Sequence, residues 1–136
     1  MVKDDINKIL VVEDEEVVRA VCVRTLRKHG FEAIVAPDGA AGLEIYKQRR
    51  DEICLVLSDV KMPVRSGVEM FRDILKIDPE ANVILMSGYS MSELVPDDLR
   101  KLCSLVSKPF TADQLIEAVK KCLKYEQQHH PEKVSA

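Results

Sequence analysis

The sequence lacks several features that would assign it to a common functional class. No apolar run approaches the ~20 residues of a membrane-spanning helix. The glycine-rich nucleotide-binding patterns G-x-G-x-x-G and G-x-x-x-x-G-K-[ST] do not occur. Basic and acidic residues number 20 and 23, so the positive excess that attracts nucleic acid is missing. We therefore expect a cytoplasmic protein with no signal peptide, no membrane span and no direct nucleic-acid binding.

Cysteine is present, but without the spacing of a metal or redox motif. The four cysteines are Cys22, Cys54, Cys103 and Cys122, and they form no C-x-x-C pair. Three of them lie among periodic apolar residues, where a free thiol packs as a small hydrophobic side chain. We interpret them as reduced core thiols, as is usual in a cytosolic protein.

The sequence does contain an alternation of short apolar runs and segments with helical spacing. Runs of this kind, rich in β-branched residues, are typical of strands buried on both faces of a parallel sheet. The runs are Ile9–Val12, Glu32–Ala36, Ile53–Leu57, Val83–Met86 and Leu102–Val106. A chain of 136 residues suits one domain.

The segments between the runs show helical signals. Val18, Cys22 and Leu26 recur every four residues, and Thr111-x-x-Gln114 matches a capping box before the last helix. Pro96 makes the segment between the last two strands the least regular. Strands alternating with helices predict a doubly wound α/β fold, with helices on both faces of a five-stranded parallel sheet. Ligands of such sheets bind beyond the carboxyl ends of the strands.

Polar residues follow several of the predicted strands at that end. Glu13 and Asp14 follow the first, Asp59 follows the third, Ser87 the fourth and Lys108 the fifth. Grouped carboxylates repel one another unless a cation lies between them, and hard oxygen ligands favour Mg²⁺. A strand-end carboxylate is also a nucleophile toward a phosphoryl group, whose charge a metal and a lysine would neutralise. Taken singly, each residue has an ordinary alternative as a cap, a turn or a surface charge.

Five motifs in this order resemble the response-regulator receiver domain of two-component signalling. They are ILVVEDE, LVLSD, KMPVRSG, VILMSGYS and VSKPF, and the similarity runs from about Lys8 to Leu123. The resemblance implies a flavodoxin-like fold of five strands and five helices, with a receiver domain over residues 1–124 and a flexible polar tail over 125–136. It fits a stand-alone regulator and the receiver of a hybrid sensor histidine kinase equally well.

The resemblance also implies roles for the strand-end acids. Asp59 would accept a phosphoryl group from a phosphohistidine on a sensor histidine kinase or histidine phosphotransfer domain. Asp14 and the backbone carbonyl of Lys61 would bind Mg²⁺ directly, and Glu13, where aspartate is commoner, would bind it through water. Such a domain assists its own phosphorylation and dephosphorylation and is not otherwise an enzyme.

The remaining implied roles concern the switch. Ser87 would turn its hydroxyl toward the phosphoryl group, and Lys108 would pair with it, next to a cis bond to Pro109. Leu105 stands where many receivers carry an aromatic switch residue, so an aromatic rotation is in doubt. Pro96 predicts that the fourth helix is short or mobile.

Two other functions are weighed against this one. A degenerate receiver would act as a phosphorylation-independent interaction module, but it would usually lack the acceptor or the lysine. A phosphatase resembling the haloacid dehalogenases needs a second acid two residues after the nucleophile, where this chain has Lys61. Whether phosphorylation produces a homodimer, relays the phosphoryl group onward or drains a kinase is left open.

Overall fold

Five parallel strands form a single sheet, as the alternating pattern predicts. The computed structural model describes residues 7–62, 64–88 and 94–128, with residues 124–128 as backbone only. The strands are β1 (Lys8–Val12), β2 (Glu32–Ala36), β3 (Ile53–Asp59), β4 (Val83–Ser87) and β5 (Ser104–Ser107). They lie in the order β2-β1-β3-β4-β5, and each neighbouring pair is parallel. The predicted fold class is confirmed.

Five α-helices connect and cover the strands. They are α1 (Glu16–Lys28), α2 (Gly39–Arg49), α3 (Gly67–Ile77), α4 (Pro96–Lys101) and α5 (Ala112–Gln128), and a 3-10 turn (Arg50–Glu52) follows α2. Across the described ranges, none of the helices has both the length and the apolar character needed to cross a bilayer. The backbone of α5 continues through residues 125–128, and the domain boundary after residue 124 stays a prediction.

The central strands are buried on both faces, which explains why their sequences do not alternate. In β1, Ile9 and Val11 belong to the apolar cluster that includes α1 and α5. Leu10 and Val12 belong to the opposite cluster, with α2 and α3. All four side chains have no exposed area. Because side chains alternate along a strand, an apolar residue is required at every position of β1.

Local signals in the sequence determine where several helices begin or end. The predicted capping box is present at α5, where the Gln114 backbone N–H donates to the Thr111 hydroxyl at 3.1 Å and the Thr111 N–H donates to the Gln114 side chain at 2.9 Å. A second box joins Ser66 and Glu69 at the start of α3. Gly30, with φ of 90°, follows the end of α1 in the left-handed region that favours glycine.

The structure corrects the interpretation of two cysteines as reduced thiols, because Cys103 and Cys122 form a disulfide with their Cα atoms 5.8 Å apart. The two cysteines meet because the chain runs along β5 in one direction and returns along α5 in the other. From Cys103 the strand rises about 17 Å to Lys108, and α5 descends about 15 Å to Cys122, so the two sulfurs end at the same height. Cys22 and Cys54 are free thiols, as predicted, and burial raises the pKa of each to about 11.

Helix α4 is short and held by an ion pair. It begins at Pro96, whose missing N–H is tolerated in a first turn; residues 90–93 of the predicted helix lie outside the described residues. The buried Asp98 carboxylate accepts from the Val95 N–H at 3.0 Å and from Arg72 of α3 at 2.6 and 3.2 Å. These contacts fix the first turn of α4 against α3.

We expect the replacement Asp98→Asn to reduce the stability of the protein at neutral pH. The hydrogen bond from Arg72 outweighs burial and lowers the pKa of Asp98 below its ordinary 3.8. The contribution of Asp98 is therefore complete above pH 3.8 and is lost as pH falls through the lower folded pKa. In denaturant titrations, the variant should lose about 2 kcal/mol of unfolding free energy at pH 7 and show a shallower acid decline.

Asp97→Asn is the matched control on the same helix. Asp97 is 55% exposed and pairs with Arg100 and Lys101 at the surface, where solvent screens the charges, so its loss should cost much less stability than the loss of Asp98. Equal losses in the two variants at pH 7 would contradict the buried ion pair.

Candidate functional site

Acidic side chains from two neighbouring strands meet at the carboxyl edge of the sheet. Glu13 and Asp14 directly follow β1, and Asp59 is the last residue of β3, which pairs with β1. Carboxylate oxygens of these three residues lie within 4.8 Å of one another. The sheet therefore brings together the acids that the sequence places after its first and third strands.

Glu13 is the buried member of the acidic cluster and has no exposed area. Its Oε2 accepts from the Glu15 backbone N–H at 3.1 Å, and its backbone carbonyl accepts from the Arg19 guanidinium at 2.8 Å. Burial, and then the charge of Asp59, raise the pKa of Glu13 to about 7 against the opposing effects of the Glu15 N–H and Lys108. Glu13 therefore takes up a proton more readily than an ordinary glutamate, because its charged form is buried beside another carboxylate.

Lys108 provides a positive charge at the acidic cluster. Its Nζ lies 3.1 Å from Asp59 Oδ2 and 3.4 Å from Glu13 Oε1. Its backbone N–H donates to the Ser87 carbonyl at 2.8 Å, and its bond to Pro109 is cis, as the resemblance implies. Burial lowers the pKa of Lys108, but the hydrogen bond to Asp59 and the two acidic charges outweigh it, so the pKa is raised.

Strand β3 ends in a tight local structure around Asp59. Asp59 Oδ1 accepts from the Val60 N–H at 2.8 Å, and the Asp59 carbonyl accepts from the Ser58 hydroxyl at 2.9 Å. The Gly67 N–H donates to the Val60 carbonyl at 2.8 Å and closes the loop that leads to α3. A Cβ atom at Gly67 would lie 1.9 Å from the Asp59 carbonyl oxygen, so a residue without a side chain is required there.

Three further residues have predicted roles: Ser87, Lys61 and Leu105. Ser87 is 5% exposed and follows Met86, the register partner of Asp59. Lys61 is exposed two residues beyond Asp59, and a role for its carbonyl as a metal ligand stays a prediction. Leu105 is half-buried and packs on the apolar cluster of α2 and α3.

Sequence reasoning missed the residues that position Glu13. The contacts of the Glu15 N–H and Arg19 with Glu13 belong to the turn into α1 and its first helical turn. An exposed acid and a helical arginine carry no motif of their own. Their short sequence separations from Glu13, two residues for Glu15 and six for Arg19, are the one signal that could have indicated these contacts.

The residues present fit a Mg²⁺ ion. The three clustered side chains offer oxygen donors, which Mg²⁺ prefers, and neither histidine nor cysteine belongs to the cluster. Lys108 Nζ lies 3.1 Å from Asp59 and 3.4 Å from Glu13, and within the described part of the chain no ion pair is seen for Asp14. Burial and then the neighbouring charge of Asp59 raise the pKa of Glu13, and a bound cation would oppose both effects.

Comparison with known proteins decides the family. A sequence model described as the response regulator receiver domain matches residues 9–120. The chain belongs to that family. This receiver domain is 33% identical to chemotaxis protein CheY of Bacillus subtilis (strain 168) over 119 residues, which are 86% of this chain and 98% of that protein. It is 35% identical to the sensor kinase CckA of Brucella abortus (strain 2308), over 85% of this chain and 12% of that protein.

A solved structure has the same fold and a similar sequence. The receiver domain matches the crystal structure of the CheX-CheY-BeF3-Mg²⁺ complex from Borrelia burgdorferi with a TM-score of 0.76 and 27% identity, over 82% of this chain and 85% of that one. That complex contains magnesium and a beryllium fluoride group. The likeness agrees with the family assignment made from the sequence.

We expect Gly67→Ala to destabilise the receiver domain by about 2 kcal/mol or more, because its Cβ would collide with the backbone at Asp59. Gly88→Ala is the matched control, since a Cβ at Gly88 meets nothing within 4 Å and should change stability by less than about 1 kcal/mol. Denaturant unfolding of both variants measures the difference. Similar values for the two would show that the loop yields to a side chain.

Proposed function

We propose that this receiver domain accepts a phosphoryl group on Asp59 from a phosphohistidine of a sensor histidine kinase or a histidine phosphotransfer domain. The family membership supports the signalling role. The observation that carries the proposal is the contact of Lys108 with Asp59 at 3.1 Å, within a cluster of three carboxylates. The proposed nucleophile, the proposed phosphate-binding cation and a set of oxygen donors thus share one edge.

In the proposed reaction, a carboxylate oxygen of Asp59 forms a bond to phosphorus, and the P–N bond to the donor imidazole breaks, with its electron pair going to that ring. The Val60 N–H holds the other carboxylate oxygen, and the tight loop at Gly67 fixes the backbone behind it. Lys108 would then exchange its contact with Asp59 for one with a phosphoryl oxygen.

Magnesium is part of the proposal. Asp14, Asp59 and the Lys61 carbonyl would hold Mg²⁺, with Glu13 bound through water. When bound, the ion supplies positive charge that lowers the repulsion between the phosphoryl oxygens and the acidic cluster. The chain itself positions Glu13, because hydrogen bonds to both its side chain and its backbone are present before a phosphodonor binds.

The proposed response to phosphorylation begins at Ser87. Its hydroxyl would turn toward the phosphoryl group, and its carbonyl is already tied to the Lys108 N–H at 2.8 Å. Because position 105 carries leucine, the response would be transmitted without the rotation of an aromatic ring there. We infer that the ends of β4 and β5 move as a connected unit.

The larger context of the domain is open to two arrangements. One relative matches over 98% of its length and the other over 12%, so similar receivers occur both as nearly whole proteins and within a longer kinase. A cytoplasmic location and a homodimer formed on phosphorylation belong to the same proposal. The two rival functions have weaker support, because Asp59 and Lys108 are both present and in contact, and Lys61 replaces the acid that a dehalogenase-like phosphatase needs.

We expect intact mass spectrometry to show one phosphoryl adduct after incubation with acetyl phosphate and Mg²⁺. Asp59→Asn should abolish the adduct because the nucleophilic oxygen is removed, and Lys108→Met should slow its formation at least tenfold. Asp51→Asn, an exposed acid before β3, is the matched control and should retain the adduct. A folded parent that gains no adduct from acetyl phosphate or from phosphorylated kinases would favour the phosphorylation-independent module.

We also expect Mg²⁺ to raise the melting temperature in a concentration-dependent manner, because a ligand that binds the folded state stabilises it. Asp14→Asn should remove most of this rise. Glu16→Gln, which neutralises an exposed acid just outside the cluster, should keep it. A rise of equal size in all three proteins, measured by scanning calorimetry, would place Mg²⁺ elsewhere.

A further inference from the structure

The disulfide encloses the segment that carries Lys108. Cys103 directly precedes β5, and Cys122 lies on α5, 19 positions later. The covalent loop therefore contains all of β5, the Lys108–Pro109 corner and most of α5. At one end of this loop is the bridge, and at the other end Lys108 contacts Asp59.

We propose that Cys103 and Cys122 form a reversible thiol–disulfide exchange site for low-molecular-weight disulfides and dithiols, and that its redox state sets how firmly β5 is held to α5. The inference goes beyond the phosphoacceptor function and does not rest on it. Its basis is the pairing itself, in a chain whose other two cysteines stay free.

The difference in exposure between the two cysteines determines which thiolate would react first. Cys103 is half-buried, whereas Cys122 is 2% exposed. The Cys103 thiolate would attack one sulfur of a small disulfide RSSR, forming a mixed disulfide and releasing RS⁻. The Cys122 thiolate would then attack the Cys103 sulfur and release a second RS⁻. The two thiol protons end on two RSH molecules, and a dithiol reverses both steps.

The other cysteines are poorly placed to compete. Cys22 has no exposed area, and Cys54 lies half-buried in β3. Burial raises the pKa of both thiols, so their reactive thiolate forms are scarce at neutral pH. The pairing, with Cα atoms 5.8 Å apart, thus distinguishes one exchangeable pair from two thiols that have no disulfide partner.

The disulfide affects how firmly β5 is held because of where this strand lies in the sheet. This strand has four residues, lies at the edge of the sheet and pairs with β4 on one side. Val106 of β5 packs in one apolar cluster with Leu115 and Val119 of α5. Without the bridge, these apolar contacts hold strand and helix together. With the disulfide, the segment of β5 and α5 that contains Lys108 is also joined covalently, at the end away from Lys108.

Thiol trapping tests the exchange. The folded protein is equilibrated with buffers of different glutathione to glutathione-disulfide ratio, quenched, unfolded and alkylated with N-ethylmaleimide. We expect two adducts, on Cys22 and Cys54, in the oxidising buffer and four in the reducing one. Four adducts at every ratio would overturn the proposal, and so would two adducts after excess dithiothreitol, since the bridge would then not exchange in the folded protein.

Hydrogen exchange and melting test the consequence. In oxidising buffer, Cys103→Ser should melt roughly 5 to 10 °C below the parent and exchange amides of β5 and α5 faster. Cys54→Ser is the control, because it removes a half-buried thiol and leaves the bridge intact. The parent, after reduction, should behave like Cys103→Ser. If reduction changes neither the melting temperature nor exchange in β5, the bridge does not set the stiffness of this unit.

Discussion

The crowding of negative charge at the ends of two buried strands is the constraint on which the rest of this structure depends. Strands β1 and β3 are covered on both faces, so Glu13 and Asp59 are buried close together at their ends, and the exposed Asp14 completes the cluster. Repulsion in such a place is costly and requires compensation. The compensation comes from Lys108, from the Glu15 N–H and, in our proposal, from a divalent cation. In our proposal, the same repulsion between carboxylates favours the binding of a metal ion at this edge.

Much of the fold could be predicted because the signals are local. Continuous apolar runs correspond to strands buried on both faces, and Thr111 with Gln114 marks the start of α5. The strand ends were less accurate. Strand β3 extends to Asp59 because its last two residues pair with Leu85 and Met86 of β4. The last strand begins at Ser104, later than the apolar pattern suggests.

The site could be predicted in outline because parallel strands align their carboxyl ends, so the order of the motifs already implies proximity. Contacts between distant elements gave no such signal. The ion pair of Arg72 with Asp98 joins α3 to α4, and the disulfide joins the start of β5 to α5. Each depends on how far one element rises before another returns, which single residues do not reveal. Spacing along the strand and helix, taken together, would have pointed to the cysteine pair.

The contact of Lys108 with Glu13 spans 95 positions of sequence, nearly the whole domain. A chain emerging from the ribosome carries Glu13, Asp14 and Asp59 long before it carries Lys108. Until the residue that follows β5 is made, Glu13 and Asp59 lack the ammonium group of Lys108 that contacts both of them. In our proposal, the ability to accept a phosphoryl group is therefore acquired late in synthesis, together with the edge strand of the sheet. If our proposal holds, a shortened or unfinished copy that lacks Lys108 would be unable to compete with intact copies for the phosphohistidine donor.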